Sequence, residues 1–371
     1  MKALILSGGK GTRLRPLTYT RAKQLLPLAN KPVLFYVIEA LLVAEIYDIG
    51  IVVGDTRDEI RAEVGDSSRW HGDLKLTYMY QSSPLGLAHA VKIARPFLGD
   101  ERFIMLLGDN IIEENLLPLV NAFRNRDCSY HCQVLLAPVS NPQDFGVAEL
   151  ESHAQAPGAG KDMLSIKRLI EKPKVPPGDL ALVGVYFFDR HIFQAIEAIR
   201  PSWRGELEIT DAIQWLIDHG YTVRASRLQG YWIDTGKMED ILEANRLILS
   251  GLAPNIAADA SVDAASDLRG TVIVEQGATI RNSVIRGPAI IGKRSRLINA
   301  YIGPFTSIYH DVTIYNSEIE HSIVLEYSSI SDIPVRIEDS LIGRHVDIAV
   351  SSNKPNAHKF MLGDHSKLSL L

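Results

Sequence analysis

The sequence predicts an α/β protein with a mixed, mainly parallel sheet covered by helices, continued by a second segment that coils as a parallel β-helix. Three observations carry this. The chain opens on an apolar run, Ala3-Leu4-Ile5-Leu6-Ser7, that empties into the glycine-rich turn Gly8-Gly9-Lys10-Gly11-Thr12-Arg13. Strand-length apolar runs then alternate with helical ones, as in sheets whose strands are joined by helical crossovers. Past residue 250, branched apolar residues recur every six positions, a period that fits neither a helix nor an ordinary strand.

In chain order, residues 3–7 read as a buried strand, 31–45 as a helix opened near Pro32, 49–54 as a strand, 57–64 as a helix and 74–80 as a further strand. A helical stretch runs from Gly86 to about Phe97, followed by the strand Phe103-Ile104-Met105-Leu106-Leu107, which stops at Gly108-Asp109-Asn110. Polar residues just past the carboxyl end of such a strand lie where open α/β sheets take ligands. Apolar strands follow at 132–139 and 181–188, while 153–162 and 173–179, rich in Gly, Pro and charge, read as surface connections. The run from Arg204 to Asp211 reads as a turn feeding a helix with Trp215 on its apolar face, and the first domain ends after a helix near 238–250.

The hexad positions are Val262, Leu268, Val274 and Ile280, then Ile285, Ile291 and Leu297, then Ile302, Ile308 and Ile314, with five-residue steps between the runs. Ile319, Val324, Ile330, Ile342 and Ile348 continue them before a weakly patterned tail. Short strands that turn after each hexad place these side chains inside a solenoid, with Gly270, Gly277, Gly287, Gly292 and Gly303 suited to its corners.

A chain of 371 residues with 46% hydrophobic content accommodates two cores. With 39 basic against 44 acidic residues it has no broad basic field for a nucleic-acid backbone, so mononucleotides are the expected partners rather than polymers. Cys128 and Cys132 have neither metal-ligand spacing nor a disulfide framework around them and read as reduced thiols. No leader-like sequence opens the chain and no run reaches membrane-spanning length, so the expectation is a cytoplasmic protein without membrane contact.

The turn at residues 8–13 lacks P-loop spacing and does not complete a dinucleotide fingerprint, but its glycines allow close approach and its amides face outward to bind polyphosphate. Arg13, and Lys23 ten residues on, supply charge for the same anion. Asp109 and Asp234, the latter in Tyr231-Trp232-Ile233-Asp234-Thr235-Gly236, are carboxylates that can share one Mg²⁺, although either alone could cap a turn. Gln81 with Gly86-Leu87-Ala88 offers an amide for a base edge and a glycine for a flat ring. Glu171 and Lys172 offer an acid for sugar hydroxyls and a cation for a sugar phosphate, or equally a charged turn, and Glu206 is a further hydroxyl partner.

Taken in order, Gly8 to Pro16, Lys23 with Leu26-Pro27, Lys31-Pro32, Gly108-Asp109-Asn110, Phe145-Gly146-Val147, Glu171-Lys172-Pro173 and Trp232 to Gly236 resemble the sugar-phosphate nucleotidylyltransferases. Within that family the likeness is to the long-form glucose-1-phosphate thymidylyltransferases, which carry a left-handed β-helix. The resemblance covers about residues 1–350 and implies a catalytic domain over 1–250, a hexapeptide-repeat β-helix over 251–350 and a tail over 351–371.

It further implies that Arg13 and Lys23 bind a triphosphate over the Gly8, Gly9, Gly11 and Thr12 backbone, and that Asp109, beside Asn110, holds Mg²⁺ with Asp234. Gln81 and Gly86 would bind thymine, with Leu6 and Leu87 lining the base, while Gly146, Glu171 and Val183 shape a glucose pocket near Glu206 and Trp232, with Lys172 on its phosphate. Ser7 stands where an alanine is commoner in the family.

The implied substrates are dTTP and glucose 1-phosphate. Related chemistry on UTP or an amino-sugar phosphate, an added acyltransferase activity using His310, His321 or His345, and a noncatalytic nucleotide-sugar sensor are the competing readings. Solenoid flanks offer extended surfaces, so a homo-oligomer is expected.

Overall fold

The computed structural model describes residues 1–70, 73–125, 128–151, 163–350 and 358–369. The predicted connection at 153–162 and parts of the tail lie outside them. The chain divides into two compact units: the first comprises Met1–Lys10, Arg21–Leu25 and Val33–Asp234, the second Gly11–Thr20, Leu26–Pro32 and Thr235–Leu371.

The first unit is built on strands β1 (Lys2–Ser7), β4 (Asp48–Val53), β5 (Lys75–Tyr80), β6 (Phe103–Leu107), β8 (Cys132–Pro138), β9 (Gly146–Leu150), β10 (Met163–Glu171), β11 (Leu180–Phe188) and β12 (Val223–Arg227). Its helices are α1 (Val33–Val43), α2 (Arg57–Val64), α3 (Leu87–Ile93), α4 (Arg95–Leu98), α5 (Leu116–Arg124), α6 (His191–Ala198) and α7 (Ile209–Asp218). These strands form one nine-stranded sheet in the order β5-β4-β1-β6-β11-β8-β12-β10-β9. The hairpin β2 (Pro27–Leu28) and β3 (Lys31–Pro32) belongs to the second unit, and a separate ribbon pairs β7 (Asn110–Ile112) with β13 (Trp232–Asp234).

Alternation along β1 explains the layering. Ala3 and Ile5 join the apolar layer with Leu34, Ile38 and Phe123, whereas Leu4 and Leu6 join the one with Met105, Phe188 and Ile213. A central strand buried on both faces reads as a continuous apolar run, which is why its sequence showed no alternation.

The sheet is parallel from β5 to β6, as the alternation of elements implies. From β11 outward the pairing is mostly antiparallel, only β8 and β12 running together. This half departs from the largely parallel expectation: β11 runs antiparallel to both β6 and β8, and β10 to both β12 and β9. The helical stretch after Gly86 is divided at Ala94 into α3 and α4.

In the second unit, α8 (Met238–Ser250) precedes a parallel β-helix, the left-handed form expected for its repeats, with three stacked sheets of six, six and four strands. Its middle coils repeat every 17 residues. Val274, Ile280, Ile285, Ile291, Leu297, Ile302, Ile308, Ile314, Ile319, Val324, Ile330 and Ile342 fill its interior, and Val262, Leu268 and Ile348 pack against them. Every hexad position read from the sequence therefore points inward.

The corners differ from expectation. Left-handed backbone occurs at Gly270 and Gly277, but Asn282, Asn299, Asn316, Asp311 and Asp332 also take positive φ, a conformation that short polar side chains tolerate. Asn282, Asn299, Asn316 and Asp332 are linked side chain to side chain up one edge. Gly287, Gly292 and Gly303 serve close packing instead: a Cβ at Gly287 would lie 2.2 Å from the Thr271 carbonyl oxygen, and one at Gly292 would lie 2.4 Å from the Tyr309 carbonyl carbon.

Helix α8 packs with this unit, whose C-terminal stretch begins at Thr235. Leu249 packs there with Ala29 and Ile290, and Asn245, fully buried, adds polar ties: its Oδ1 accepts from the Ala29 amide and the Ser307 hydroxyl, and its Nδ2 donates to the Phe305 carbonyl. A buried amide with three partners ties helix, hairpin and coil together.

Candidate active site

At the end of β1 the chain meets β4, Gln81 and Lys23 at close range. A Cβ on Gly54 would lie 2.9 Å from the Gly8 carbonyl oxygen, one on Gly8 would lie 3.1 Å from Gln81 Oε1, and one on Gly9 would lie 2.9 Å from Lys23 Cε. The glycines are thus required for packing. Gly11, at φ 61°, opens a short 3₁₀ turn, Thr12–Leu14, that carries Arg13 and belongs to the second unit. Within that unit, Arg13 acts on Asp240 at the start of α8: burial raises this carboxyl, and Lys237 and Arg13 oppose the rise.

Gln81 is held by its amide nitrogen, which donates to the Gly86 carbonyl at 3.3 Å and lies 3.0 Å from His89 Nδ1. With that nitrogen engaged, Oε1 faces Gly8 as an acceptor for an imide N–H. Burial depresses the His89 pKa, with Lys92 adding to the effect, which favours the neutral ring that accepts from Gln81. The sequence reading did not include His89.

Gly86 has φ 102°, and a Cβ there would lie 2.3 Å from the Leu207 carbonyl oxygen. Leu207 donates its amide to the Leu85 carbonyl and accepts from the Ala88 amide, so the segment from Leu85 to Ala88 is laced to the segment before α7. Backbone packing against Leu207 is the visible demand for glycine here, in addition to any approach of a flat ring.

Asp109 follows β6, and Asp234 is the register partner of its neighbour Asn110 in the β7–β13 ribbon. Lys23 forms an ion pair with Asp109 Oδ2. Both side chains are largely buried, and Asn110 Nδ2 donates to Asp109 Oδ1 at 3.2 Å. Trp232 Nε1 donates to Asn110 Oδ1 at 2.6 Å, and the same oxygen would lie 2.7 Å from a Cβ on Gly184. Gly184 is a site-forming residue that the sequence reading did not find.

On the other side of the unit, Gly146 and Glu171 are direct partners in the β9–β10 ladder. Thr210 Oγ1 donates to Glu171 Oε2 at 2.6 Å. Burial pushes the Glu171 carboxyl above the usual carboxylate range and Glu208 adds to this, while the Thr210 hydrogen bond, Lys172 and Arg204 pull it down. Lys172 is held at φ 42° with its amide donating to the Phe145 carbonyl, and the Phe145 ring meets Trp232 edge-on at 5.2 Å.

Arg204, absent from the predicted set, organises this region, lying 3.0 Å from Glu206, 3.4 Å from Glu208 and 3.7 Å from Glu171. Glu206, predicted for a sugar hydroxyl, is therefore already paired with a guanidinium. Val183 is fully buried in the core, so its side chain cannot line a pocket and only its backbone is available; Leu6 is likewise core, and Leu87 packs half-buried against it. His131, Asp189 and His191 form a separate group whose hydrogen bonds are otherwise spent: Asp189 Oδ1 accepts from the His191 amide at the start of α6, and His131 Nδ1 accepts from the Thr222 amide.

Among the described residues, then, a glycine-rich turn after the first strand, a Lys23–Asp109 ion pair beside it and a buried Glu171 on the same sheet mark an α/β enzyme with the features of a phosphate-handling site. Residues 2–251 match the family model described as nucleotidyl transferase, and the chain belongs to that family, a nucleotidyltransferase with an appended β-helix.

Comparison with characterised proteins agrees. The chain is 53% identical over 370 residues to a glucose-1-phosphate thymidylyltransferase of Streptomyces griseus, covering 100% of this chain and 99% of that one. It is 50% identical over 372 residues to the enzyme of the same name from Streptomyces antibioticus, again covering 100% and 99%. A solved structure from Bacillus anthracis, described as a candidate glucose-1-phosphate thymidylyltransferase in complex with sucrose, superposes with a TM-score of 0.59 at 33% identity, covering 67% of this chain and 94% of the other.

Proposed function

We infer that this chain is a glucose-1-phosphate thymidylyltransferase: a phosphoryl oxygen of α-D-glucose 1-phosphate attacks the α-phosphorus of dTTP, giving dTDP-glucose and pyrophosphate. The observation that supports it most is the pairing of Lys23 with Asp109 beside the Gly8-Gly9 turn, in a chain alike over its whole length to two enzymes of that name.

The nucleophile is already anionic, so the protein has no proton to remove and works by alignment and charge. Lys23, held against Gly9 by its pairing with Asp109, brings its ammonium to the phosphates beside the turn's amides. Arg13, on the same connection ten residues earlier, neutralises the leaving pyrophosphate. Gln81 Oε1 accepts from the pyrimidine imide, with Leu6 and Leu87 behind it. Glu171, oriented by Thr210, receives sugar hydroxyls against the Gly146 backbone, and Lys172 meets the sugar phosphate.

Mg²⁺ is the cofactor of this reading. Two carboxylates with an amide neighbour make an all-oxygen donor set suited to a hard divalent cation, and Asp109 and Asp234 would hold it. When bound, it supplies positive charge to the transferring and leaving phosphates.

A cytoplasmic location fits this activity, and no helix among the described residues is long and apolar enough to cross a membrane. Self-association through the β-helix remains part of the proposal, tested by light scattering of the full chain.

The testing experiment is Mg²⁺-dependent pyrophosphate release with glucose 1-phosphate and each of dTTP, UTP, ATP, GTP and CTP, the product identified by mass. A dTTP preference supports the reading; a UTP preference retains the chemistry and overturns the base assignment; no release with any nucleotide or alternative sugar phosphate overturns both in favour of a sensor.

A further inference from the structure

The two ends of a glutamine amide are nearly the same shape and opposite in hydrogen bonding, so the way the group is turned decides what it can read. Gln81 is buried in the first unit, where its backbone amide donates to the Val53 carbonyl at 2.8 Å. Its side-chain nitrogen meets two acceptors, the Gly86 carbonyl at 3.3 Å and His89 Nδ1 at 3.0 Å. Both N–H groups are thereby spent on one short stretch of chain, residues 86 to 89, and Oε1 is left facing Gly8.

The two acceptors differ in kind. The Gly86 carbonyl can only accept, and it also takes the Ala90 amide at 3.3 Å. The imidazole has a choice, since Nδ1 accepts when the ring proton sits on Nε2 and donates when it sits on Nδ1. Burial lowers the His89 pKa and Lys92, on the same helix, adds to this, which keeps the ring neutral and able to accept. Were the Gln81 amide turned over, Oε1 would confront the Gly86 carbonyl and the Nδ1 lone pair together, and Nε2 would face Gly8.

Pyrimidines separate on this polarity. Thymine and uracil present an N3–H donor between two carbonyls, whereas cytosine presents N3 as an acceptor beside an amino group. An Oε1 acceptor suits the imide and opposes the cytosine lone pair, and a turned amide reverses the preference.

We propose that His89 determines base specificity: through Nδ1 it holds the Gln81 amide with Oε1 toward the base, so that the site takes pyrimidine imides and rejects cytosine. His89 acts through Gln81 and is a positioning residue. This rests on the reading of Gln81 as the base contact.

The test uses the full-length chain and three substitutions. His89→Phe and His89→Leu remove the acceptor, one keeping a ring and one not, while His89→Asn keeps an acceptor, Oδ1, where Nδ1 stood. Binding of dTTP, UTP and CTP is measured by calorimetry without glucose 1-phosphate, and kcat and KM are measured with it. In His89→Phe and His89→Leu the preference for dTTP over CTP should fall about tenfold in both assays. The ratio of dTTP to UTP, which share the imide edge, and KM for glucose 1-phosphate should stay as in the parent. His89→Asn should keep most of the preference for dTTP. In the parent itself, ring nitrogen shifts of labelled histidine should place the His89 proton on Nε2.

A parent-like ratio of dTTP to CTP in either acceptor-less variant that folds overturns the proposal. So does a loss shared equally by the two nucleotides, a loss that His89→Asn reproduces in full, or a His89 proton found on Nδ1, which is read without any variant folding. A parent that binds CTP as well as dTTP overturns it too, whereas a parent that prefers dTTP in binding yet forms no nucleotide sugar overturns the functional reading and leaves this one standing.

Discussion

Asp234 is paired across the β7–β13 ribbon with Asn110, the residue next to Asp109. A ladder of three residue pairs thus sets Asp234 across from the neighbour of Asp109, despite a separation of more than a hundred positions in sequence. Asn110 is committed to the Trp232 indole and to Asp109, so the ribbon's register is fixed on both sides.

Replacing either acid by its amide should therefore leave the ribbon intact and remove the charge. Asp109→Asn and Asp234→Asn are each expected to lower the rate of pyrophosphate release by at least about a hundredfold. Asp109→Asn should also loosen Lys23, its ion-pair partner. Steady-state assays beside circular dichroism separate the two effects; a chain that unfolds with both substitutions would contradict the assignment.

Gly86→Ala is expected to be severe for a different reason. The residue is at φ 102° and its new Cβ would meet the Leu207 carbonyl oxygen at 2.3 Å. Strain and overlap together should cost at least about 2 kcal/mol of stability. Because Leu207 is laced to the segment from Leu85 to Ala88, KM for dTTP should rise more than KM for glucose 1-phosphate, measured alongside urea unfolding.

Local chemistry made much of this legible. The first strand, its glycine turn and every inward hexad residue follow from periodicity, because those signals are contained within a few neighbours. What escaped was set by distant partners. The antiparallel half of the sheet depends on β11 pairing with β6 and β8, Arg204 gathers acids from residue 171 as well as from its own turn, and Gly184 exists to admit Asn110. Val183 was expected near a glucose pocket from the family resemblance alone, and which face an apolar strand residue takes is not settled until the register is known. Helix α8 meets the rest of the second unit through Asn245 as well as through Leu249, which packs with Ala29 and Ile290, and partners this far apart in sequence are not marked by any local period.

Glu171 should trade stability for function in a pH-dependent way. Its folded-state pKa is raised from 4.5, chiefly by burial. The folded chain therefore holds this proton more tightly than the unfolded chain: the contribution to stability is full below the unfolded value and is lost as pH rises through the folded value. Glu171→Gln removes a charge that is costly when ionised, so the variant should gain stability relative to the parent as pH rises from below 4.5 toward neutrality, while KM for glucose 1-phosphate rises. Unfolding midpoints across that range check the sign; a stability difference independent of pH would show that burial of this carboxyl does not matter.

Asn245→Ala tests the polar anchor of the second unit. Removing the side chain strands the Ala29 amide, the Ser307 hydroxyl and the Phe305 carbonyl, three groups it now satisfies. Leaving buried donors and acceptors without partners costs more than the bonds themselves were worth, and the expected destabilisation is about 3 kcal/mol. Asn245→Asp retains an acceptor for the Ala29 and Ser307 donors but loses the donor to Phe305 and buries a charge, so it should also be less stable than the parent, and more so as pH rises and the carboxyl ionises. Hydrogen exchange localises the effect: protection at Ala29 should fall in the alanine variant, with β1 at the centre of the sheet retaining its own. The hairpin from Pro27 to Pro32 would then be released from α8 and from Ile308, whose carbonyl accepts from Asn30 at 2.8 Å, and equal loss of protection in β1 would mean instead that the two compact units unfold together.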